Sequence, residues 1–448
     1  MASKSKAARA KQSKAESKIN FYLIAIPVLA FVIKLITMAN IKNADGGFLG
    51  GWLGADGENY LSGVDGLLVQ GYLSDKSILS YWPAGYPILI WLLTKISLTY
   101  VIALISFTQT IFYAYASYYF VKQLCGTRLQ PYMFWIAIAI AFNPTLSLSS
   151  LAVGYESPIA ACMLMAVGLI MKSVQSPHDR QFVLRVISAG FFSALATLMQ
   201  PRWILTTLVI AGIWALVTKG RKAQALILVG VVGIMALAPA TLIDRNVRSI
   251  DKPIISTNLS AALKIGTGPE TSGGYNRTGP EIKCEPKVGE VEVSENQYLI
   301  CALKWYVSNP IKTAQLSWNK SVYFWSPWSG PLANGTMARN PWQKINPITD
   351  IATNSQQGNE LVLGFVGKAI SWLWLVSGLF FLAFGFHRLW RNKGAERALA
   401  LTLALPVLAS WLSAVATIGD HRFRVPTMSL SLVLQIVGFL EFKKRFSK

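Results

Sequence analysis

Residues 21–39 read FYLIAIPVLAFVIKLITMA, an apolar run interrupted by one charge, Lys34. Before it, residues 1–20 hold Lys4, Lys6, Arg9, Lys11, Lys14 and Lys18 against a single acid, Glu16. A helix needs about 20 apolar residues to cross roughly 30 Å of hydrocarbon, so this run is a membrane-span candidate. A basic tail stays on the cytoplasmic side, which places the far end of the span outside. No small-residue cleavage site follows the run, which argues against a removable signal peptide.

Working outward, similar runs occupy residues 100–121, 132–143, 157–171, 183–199, 203–218, 223–243, 361–386, 398–417 and 426–442. The composition agrees: of 448 residues 53% are hydrophobic and 14% charged, where soluble domains carry about 25% charged residues. The expected fold is an all-α polytopic membrane protein with about ten transmembrane helices and both termini inside. Residues 86–97 are apolar but too short to cross, and a crossing there would put Lys122 and Arg128 outside. They are expected to form a juxtamembrane or re-entrant helix.

Charge tests this layout. The tails and the connections expected inside hold 22 of the 42 basic residues with four acids, Glu16, Asp179, Glu396 and Glu441. The net charge of +21 is therefore topogenic, with membrane lipids as its partner rather than nucleic acid. The chain divides into a basic tail (1–20), a transmembrane module (21–243) with a first outer loop (40–99), a large outer loop (244–360), C-terminal helices (361–442) and a basic tail (443–448). Cys284 and Cys301 lie 17 positions apart in the large outer loop, where an oxidising compartment favours a disulfide over free thiols. His178, His387 and His421 are far apart in sequence and none is near a cysteine, so no metal site is expected from them.

The first outer loop is rich in acids: Asp45, Asp56, Glu58, Asp65 and Asp75. Asp56 opens an amphipathic run with Tyr60, Leu61, Val64, Leu67 and Leu68 at helical spacing. It can cap that helix, or serve as an ionised base that takes a proton from an alcohol, with Glu58 as the fallback. Glu156, at the start of the fourth span, is a second outer acid expected at the substrate site, or a carboxylate that merely complements the helix dipole. Arg422 and Arg424 sit before the last span; paired arginines suit a phosphate, or anchor the helix to headgroups. Trp82 and Tyr86 could stack on a sugar or prenyl group, or belong to an interfacial aromatic belt.

Tyr81-Trp82-Pro83-Ala84-Gly85-Tyr86-Pro87 after Asp56 resembles the first outer loop of the GT-C superfamily of polyprenyl-phosphate-sugar glycosyltransferases. The likeness is to bacterial relatives of protein mannosyltransferases and aminoarabinose transferases. Three later stretches are similar to that family's pattern in the same order. They are Asp244-Arg245-Asn246 through Ser256-Thr257-Asn258 to Gly273-Gly274-Tyr275, then Ala302 to Trp325, then Gly419-Asp420-His421-Arg422-Phe423-Arg424-Val425-Pro426. The family's Arg-Pro after the fifth span is altered here to Gln200-Pro201-Arg202.

The resemblance implies transfer of a sugar from a polyprenyl-phosphate donor to an acceptor hydroxyl on the outer face of a bacterial inner membrane, with inversion. Asp56 is then the expected base, and Arg422 and Arg424 meet the phosphate, with Arg202, Arg245 and Lys320 behind them. No cofactor is required, although Asp56 and Glu58 could hold a divalent metal. The rival class is a transporter or lipid flippase, for which the intramembrane Lys34 and Lys368 would mark a pathway.

Overall fold

The computed structural model describes residues 2–43, 45–53, 56–176, 179–274, 282–286, 293–325 and 365–447. Among these the secondary structure is helical apart from two isolated bridges, Lys42 with Phe48 and Trp52 with Ala152. The first half holds α1 (Ala2–Ala39), α2 (Gly57–Gln70), α3 (Ile78–Tyr81), α4 (Gly85–Thr94), α5 (Val101–Lys122), α6 (Met133–Phe142), α7 (Pro144–Ser149) and α8 (Glu156–Gln175). The second half holds α9 (Phe182–Met199), α10 (Trp203–Val217), α11 (Arg221–Ile250), α12 (Asn258–Gly266), α13 (Glu295–Ser308) and α14 (Pro310–Trp325). The bundle closes with α15 (Phe365–Trp390), α16 (Ala395–Ala416) and α17 (Val425–Phe446).

Each of the ten expected spans coincides with a helix. Among the described residues, 7 helices are long and apolar enough to cross a membrane; α6, α10 and the described apolar part of α15, Leu375–Trp390, are shorter. The 10 residues of α4 rise about 15 Å, half the hydrocarbon thickness, so α4 does not cross. Residues 295–325 form two helices, because Pro310 lacks the N–H that would continue α13. Lys368 falls in α15, and residues 326–364, which include most of the later part of the large outer loop, lie outside the described residues.

The centre of the bundle is α8, in which 89% of the span is buried against α5, α9 and α17. Its Ala160, Ala161, Ala166 and Gly168 are small, and small residues let helix backbones approach closely where lipid gives no hydrophobic drive. The same device joins α15 to α17. A Cβ on Gly385 would lie 2.0 Å from the Leu434 carbonyl, and one on Gly438 would lie 1.9 Å from that of Phe381. By contrast, only 28% of the Phe21–Ala39 span is buried, as suits a helix on the lipid side.

One face of α5 is polar, and it positions the site. Ser106 and Gln109 donate to the carbonyls of Leu151 (3.0 Å) and Ala152 (2.9 Å), and Thr110 meets Ser150 at 3.0 Å. Tyr113 donates to Ile140 at 2.9 Å. Pro144 has no N–H for the carbonyl four residues back, which is Ile140, so the Tyr113 hydroxyl supplies what the broken α6–α7 helix cannot. Asn143 caps α7 by accepting from Leu146 N at 3.0 Å. Tyr113→Phe leaves that buried carbonyl without a donor and is expected to cost about 1–3 kcal/mol, read as a lower Tm of the purified chain in detergent. An unchanged Tm would mean that another group reaches Ile140.

Candidate functional site

Asp56 occupies the N-cap position of α2, yet its side chain makes no cap hydrogen bond. It is 3% exposed and pairs instead with Arg422 Nη1, which comes from the other end of the chain. Glu156, in the first turn of α8, takes Arg422 Nε, and the third guanidinium nitrogen lies 3.5 Å from the Tyr60 hydroxyl. The Arg422 guanidinium also sits 5.1 Å from the centre of the Tyr155 ring. One arginine thus bridges two carboxylates in a dry pocket, a sharing that burial makes necessary, since either acid alone would be an uncompensated charge. Burial pushes the Tyr60 phenol well up, so it is a neutral hydroxyl that accepts from Arg422.

Local folding explains why these atoms meet. Trp52 N donates to Leu151 O and Val153 N to Trp52 O, so the first loop is stitched to the segment that leads into Glu156. Tyr86 accepts from Gly154 N at 2.8 Å, and its ring packs edge-on to Tyr60 at 5.0 Å. Asp420 caps the 3-10 turn His421–Arg424 by accepting from Arg422 N at 2.9 Å, which fixes the direction of the arginine. Two close approaches lock that segment down. A Cβ on Gly419 would stand 2.6 Å from the backbone of Lys320, and one on Gly266 would stand 1.9 Å from the Thr417 carbonyl. The last three sequence stretches quoted above therefore pack on one another.

Beside Arg422 lies a cavity of about 480 Å³, within the usual range for small-ligand sites. Arg202, Arg422, Asp420, Glu295, Tyr155, Gln200, Asn258 and Trp82 line it, with Ile254, Leu259 and Ile418 forming apolar wall. Asp56 and Glu156 are behind Arg422 and do not line it. The altered Gln200-Pro201-Arg202 stretch reaches this cavity: Gln200 donates to the Tyr155 hydroxyl at 3.2 Å, and the Arg202 guanidinium stacks 3.7 Å from the centre of the Phe423 ring. Arg202 Nε and Nη1 are buried without a hydrogen-bond partner among the described residues, donors suited to an anion.

Other expected site residues are placed elsewhere. Glu58 is exposed on the first turn of α2 and does not share a site with Asp56, because two residues along a helix turn a side chain by about 200°. Arg245 is spent on backbone carbonyls, donating to Tyr72 (3.1 Å) and Ser74, and so holds the end of the first loop rather than a ligand. Lys320 is 1% exposed and donates to the Tyr306 hydroxyl (2.9 Å) and the Val415 carbonyl (3.1 Å), behind Gly419. Arg424 is buried and is not part of the cavity wall. Trp82 lines the cavity, whereas Tyr86 is one layer behind it.

Burial pushes the Lys320 ammonium down to about 7, against 10.5 when unfolded. Between those values the unfolded chain binds a proton that the folded chain has lost, so stability rises with pH above about 7. Lys320→Met is expected to flatten that rise in Tm measured from pH 7 to pH 9; an equally steep rise in the variant would assign it to other groups.

Among the cavity residues that sequence did not single out are Tyr155, Asp420 and Glu295. Asp420 stood inside the quoted Gly419–Pro426 stretch, but beside two arginines its role as a cavity wall was not visible. Glu295 gave no signal, since it lies in a capping box, Ser294 with Gln297, that explains its neighbourhood as a helix start. In the structure it accepts from Ser260 N (3.0 Å) and Oγ (2.8 Å), and burial raises its carboxyl above the usual value. Cys284 and Cys301 form a disulfide that ties residues 282–286 to α13, on the rim next to α12. No group of three or more His, Cys, Asp or Glu side chains that could hold a metal ion occurs among the described residues. Lys34, 4% exposed within the first span, lies 4.7 Å from the Tyr113 ring centre, a cation–π contact that compensates part of its burial.

No protein-family model matches the chain, and none of the curated proteins matches it. Solved structures do. The archaeal oligosaccharyltransferase AglB from Archaeoglobus fulgidus, in complex with an inhibitory peptide and a dolichol-phosphate, aligns with a TM-score of 0.51 and 12% identity, over 95% of this chain and 51% of that one. The Archaeoglobus fulgidus oligosaccharyltransferase in the apo form aligns with a TM-score of 0.49 and 13% identity, over 95% and 51%. The chain spans about half the length of these structures. At such identity the likeness is one of fold, an all-α bundle in which 7 helices among the described residues are long and apolar enough to cross a membrane.

Proposed function

We propose that the protein is a membrane glycosyltransferase that moves a sugar from a polyprenyl-phosphate donor to an acceptor hydroxyl at the outer face of the membrane. The observation that carries this reading is the meeting of Asp56, Glu156 and Arg422 behind a cavity that also presents the unpartnered donors of Arg202. The dolichol-phosphate in the AglB complex, bound on the same fold, supports a lipid phosphate as the ligand class.

Charge accounting gives each residue its work. With no ligand, Arg422 is neutralised by the two carboxylates behind it. A donor phosphate in the cavity offers the guanidinium a third anion, and Arg202, which also lines the cavity, reinforces the pull. When Arg422 turns toward the phosphate, Asp56 is released from its ion pair and becomes the acceptor for the proton of the attacking hydroxyl. The hydroxyl oxygen bonds to the anomeric carbon, the bond from that carbon to the phosphate oxygen breaks, and its electron pair stays on the polyprenyl phosphate, held by Arg422 and Arg202. Attack from the face opposite the leaving group inverts the anomeric centre. Glu156 keeps the resting arginine in place and complements the N-terminus of α8. Trp82 offers a ring face to sugar or prenyl carbon.

A second reading of the base has its own observation: Asp420 lines the cavity directly, and Asp56 does not. Purified protein supplied with radiolabelled polyprenyl-phosphate sugars and a mixture of envelope acceptors tests the activity. Release of polyprenyl phosphate with label in an acceptor is the expected result. Movement of intact donor across a vesicle membrane without cleavage would instead support a flippase.

A further inference from the structure

We infer that the end of the bundle opposite Asp56 carries a binding pocket for the phosphodiester headgroup of an anionic phospholipid. A second cavity, of about 900 Å³, opens there between Tyr22 in the middle of α1, the 127–132 connection and the C-terminal ends of α15 and α17. Arg128, Arg388, Arg391, Asn392, Tyr132 and Glu441 line it.

The charges in and around this cavity do not balance. Glu441 accepts from Arg388 (2.8 Å), from Lys444 (3.1 Å) and from the Tyr132 hydroxyl, while Glu396 pairs with Arg128 at 3.1 Å. Four cations thus face two carboxylates, and the Arg391 side chain, which is exposed, engages no carboxylate among the described residues. Glu441 orients Arg388, and Glu396 with Asn392 engages the more exposed Arg128, so the pocket presents cations with room for an anion.

Position selects a lipid. Glu441 is 16 residues along α17 from Val425, next to Arg422, a rise of roughly 24 Å that brings it near the far edge of the hydrocarbon. Leu389 and Val437, both buried, give the cavity an apolar wall, and the space far exceeds what one phosphate ion fills. This is also the end to which charge asymmetry assigns the cytoplasm, whose leaflet is anionic, and basic pockets between helices there bind acidic headgroups.

The test uses the full chain, stripped of lipid in a non-ionic detergent and titrated with dioleoyl phosphatidylglycerol or dioleoyl phosphatidylcholine, with bound lipid counted by native mass spectrometry. Phosphatidylglycerol is expected to bind and phosphatidylcholine not. Arg391→Gln should weaken phosphatidylglycerol binding about fivefold and Arg128→Gln with Arg391→Gln about 25-fold, one step per cation near a headgroup. Arg391→Lys should restore it. Arg391 is exposed and free of ion pairs among the described residues, so its removal spares the fold, which an unchanged Tm without lipid verifies. Equal retention of both lipids, an unaffected Arg391→Gln variant, or displacement of the lipid by millimolar inorganic phosphate would each overturn the assignment, the last by identifying a soluble anion as the occupant. The readout is lipid binding at the far end of the bundle, so it stands or falls separately from sugar transfer.

Discussion

Replacing Arg422 with Gln is expected to abolish sugar transfer and to destabilise the folded chain by about 3–5 kcal/mol, the usual penalty for breaking a buried ion pair by removing one partner. Two carboxylates, Asp56 and Glu156, would then face each other behind the cavity with no cation between them, and at least one must take up a proton or draw in water. The loss of activity has a separate origin, because the phosphate would lose its bidentate partner at the moment its charge grows; one such contact is worth about 10²–10³ in kcat. Arg422→Lys separates the two effects. A lysine restores the charge but not the fork that spans Asp56 and Glu156, so stability should return in part while kcat stays low. Detergent-phase Tm and donor turnover measured on both variants check this. A Gln variant that keeps turnover would remove Arg422 from the mechanism.

Asp56→Asn is expected to lower kcat by about 10²–10⁴-fold, the range for loss of a positioned base, without raising the KM for the donor. Stability should hold, since Glu156 still neutralises Arg422 and the side-chain volume is kept. Freed of one carboxylate, Arg422 should also bind polyprenyl phosphate more tightly in the variant, a gain that a merely structural role would not produce. Asp420→Asn is the matched comparison. Its amide oxygen can still accept from Arg422 N, so the turn persists, and activity should fall far less than with Asp56→Asn. The reverse order of the two variants would make Asp420 the base.

Much of the fold was legible because bilayer physics leaves a strong mark: apolar runs with basic ends can hardly be read otherwise, and each expected span coincides with a helix. The length of the spans was less legible. Broken segments such as α6–α7 look like one short run, and the α5 side chains that satisfy the break, Tyr113 above all, are scattered through a span that reads as uniformly apolar. At the site, Asp56, Glu156 and Arg422 could be selected by residue type and neighbourhood, since acids and arginines at a span end are costly and few. Their pairing could not, because no local pattern tells whether an arginine before the last span will meet headgroups, a ligand or a carboxylate from the first loop. Arg245 and Lys320 were overvalued for the same reason: a cation near the site looks alike in sequence whether it faces a cavity or is spent on backbone carbonyls. Glu295 was missed because a helix-capping environment explains its neighbourhood.

The most direct measurement is a structure of the protein with polyprenyl phosphate bound. Phosphate oxygens within hydrogen-bond reach of Arg422 and Arg202, with the Arg422 guanidinium drawn off Asp56 and the carboxylate facing the cavity, are the predicted arrangement. A phosphate seated elsewhere, with the bridge from Arg422 to Asp56 and Glu156 intact, would contradict it.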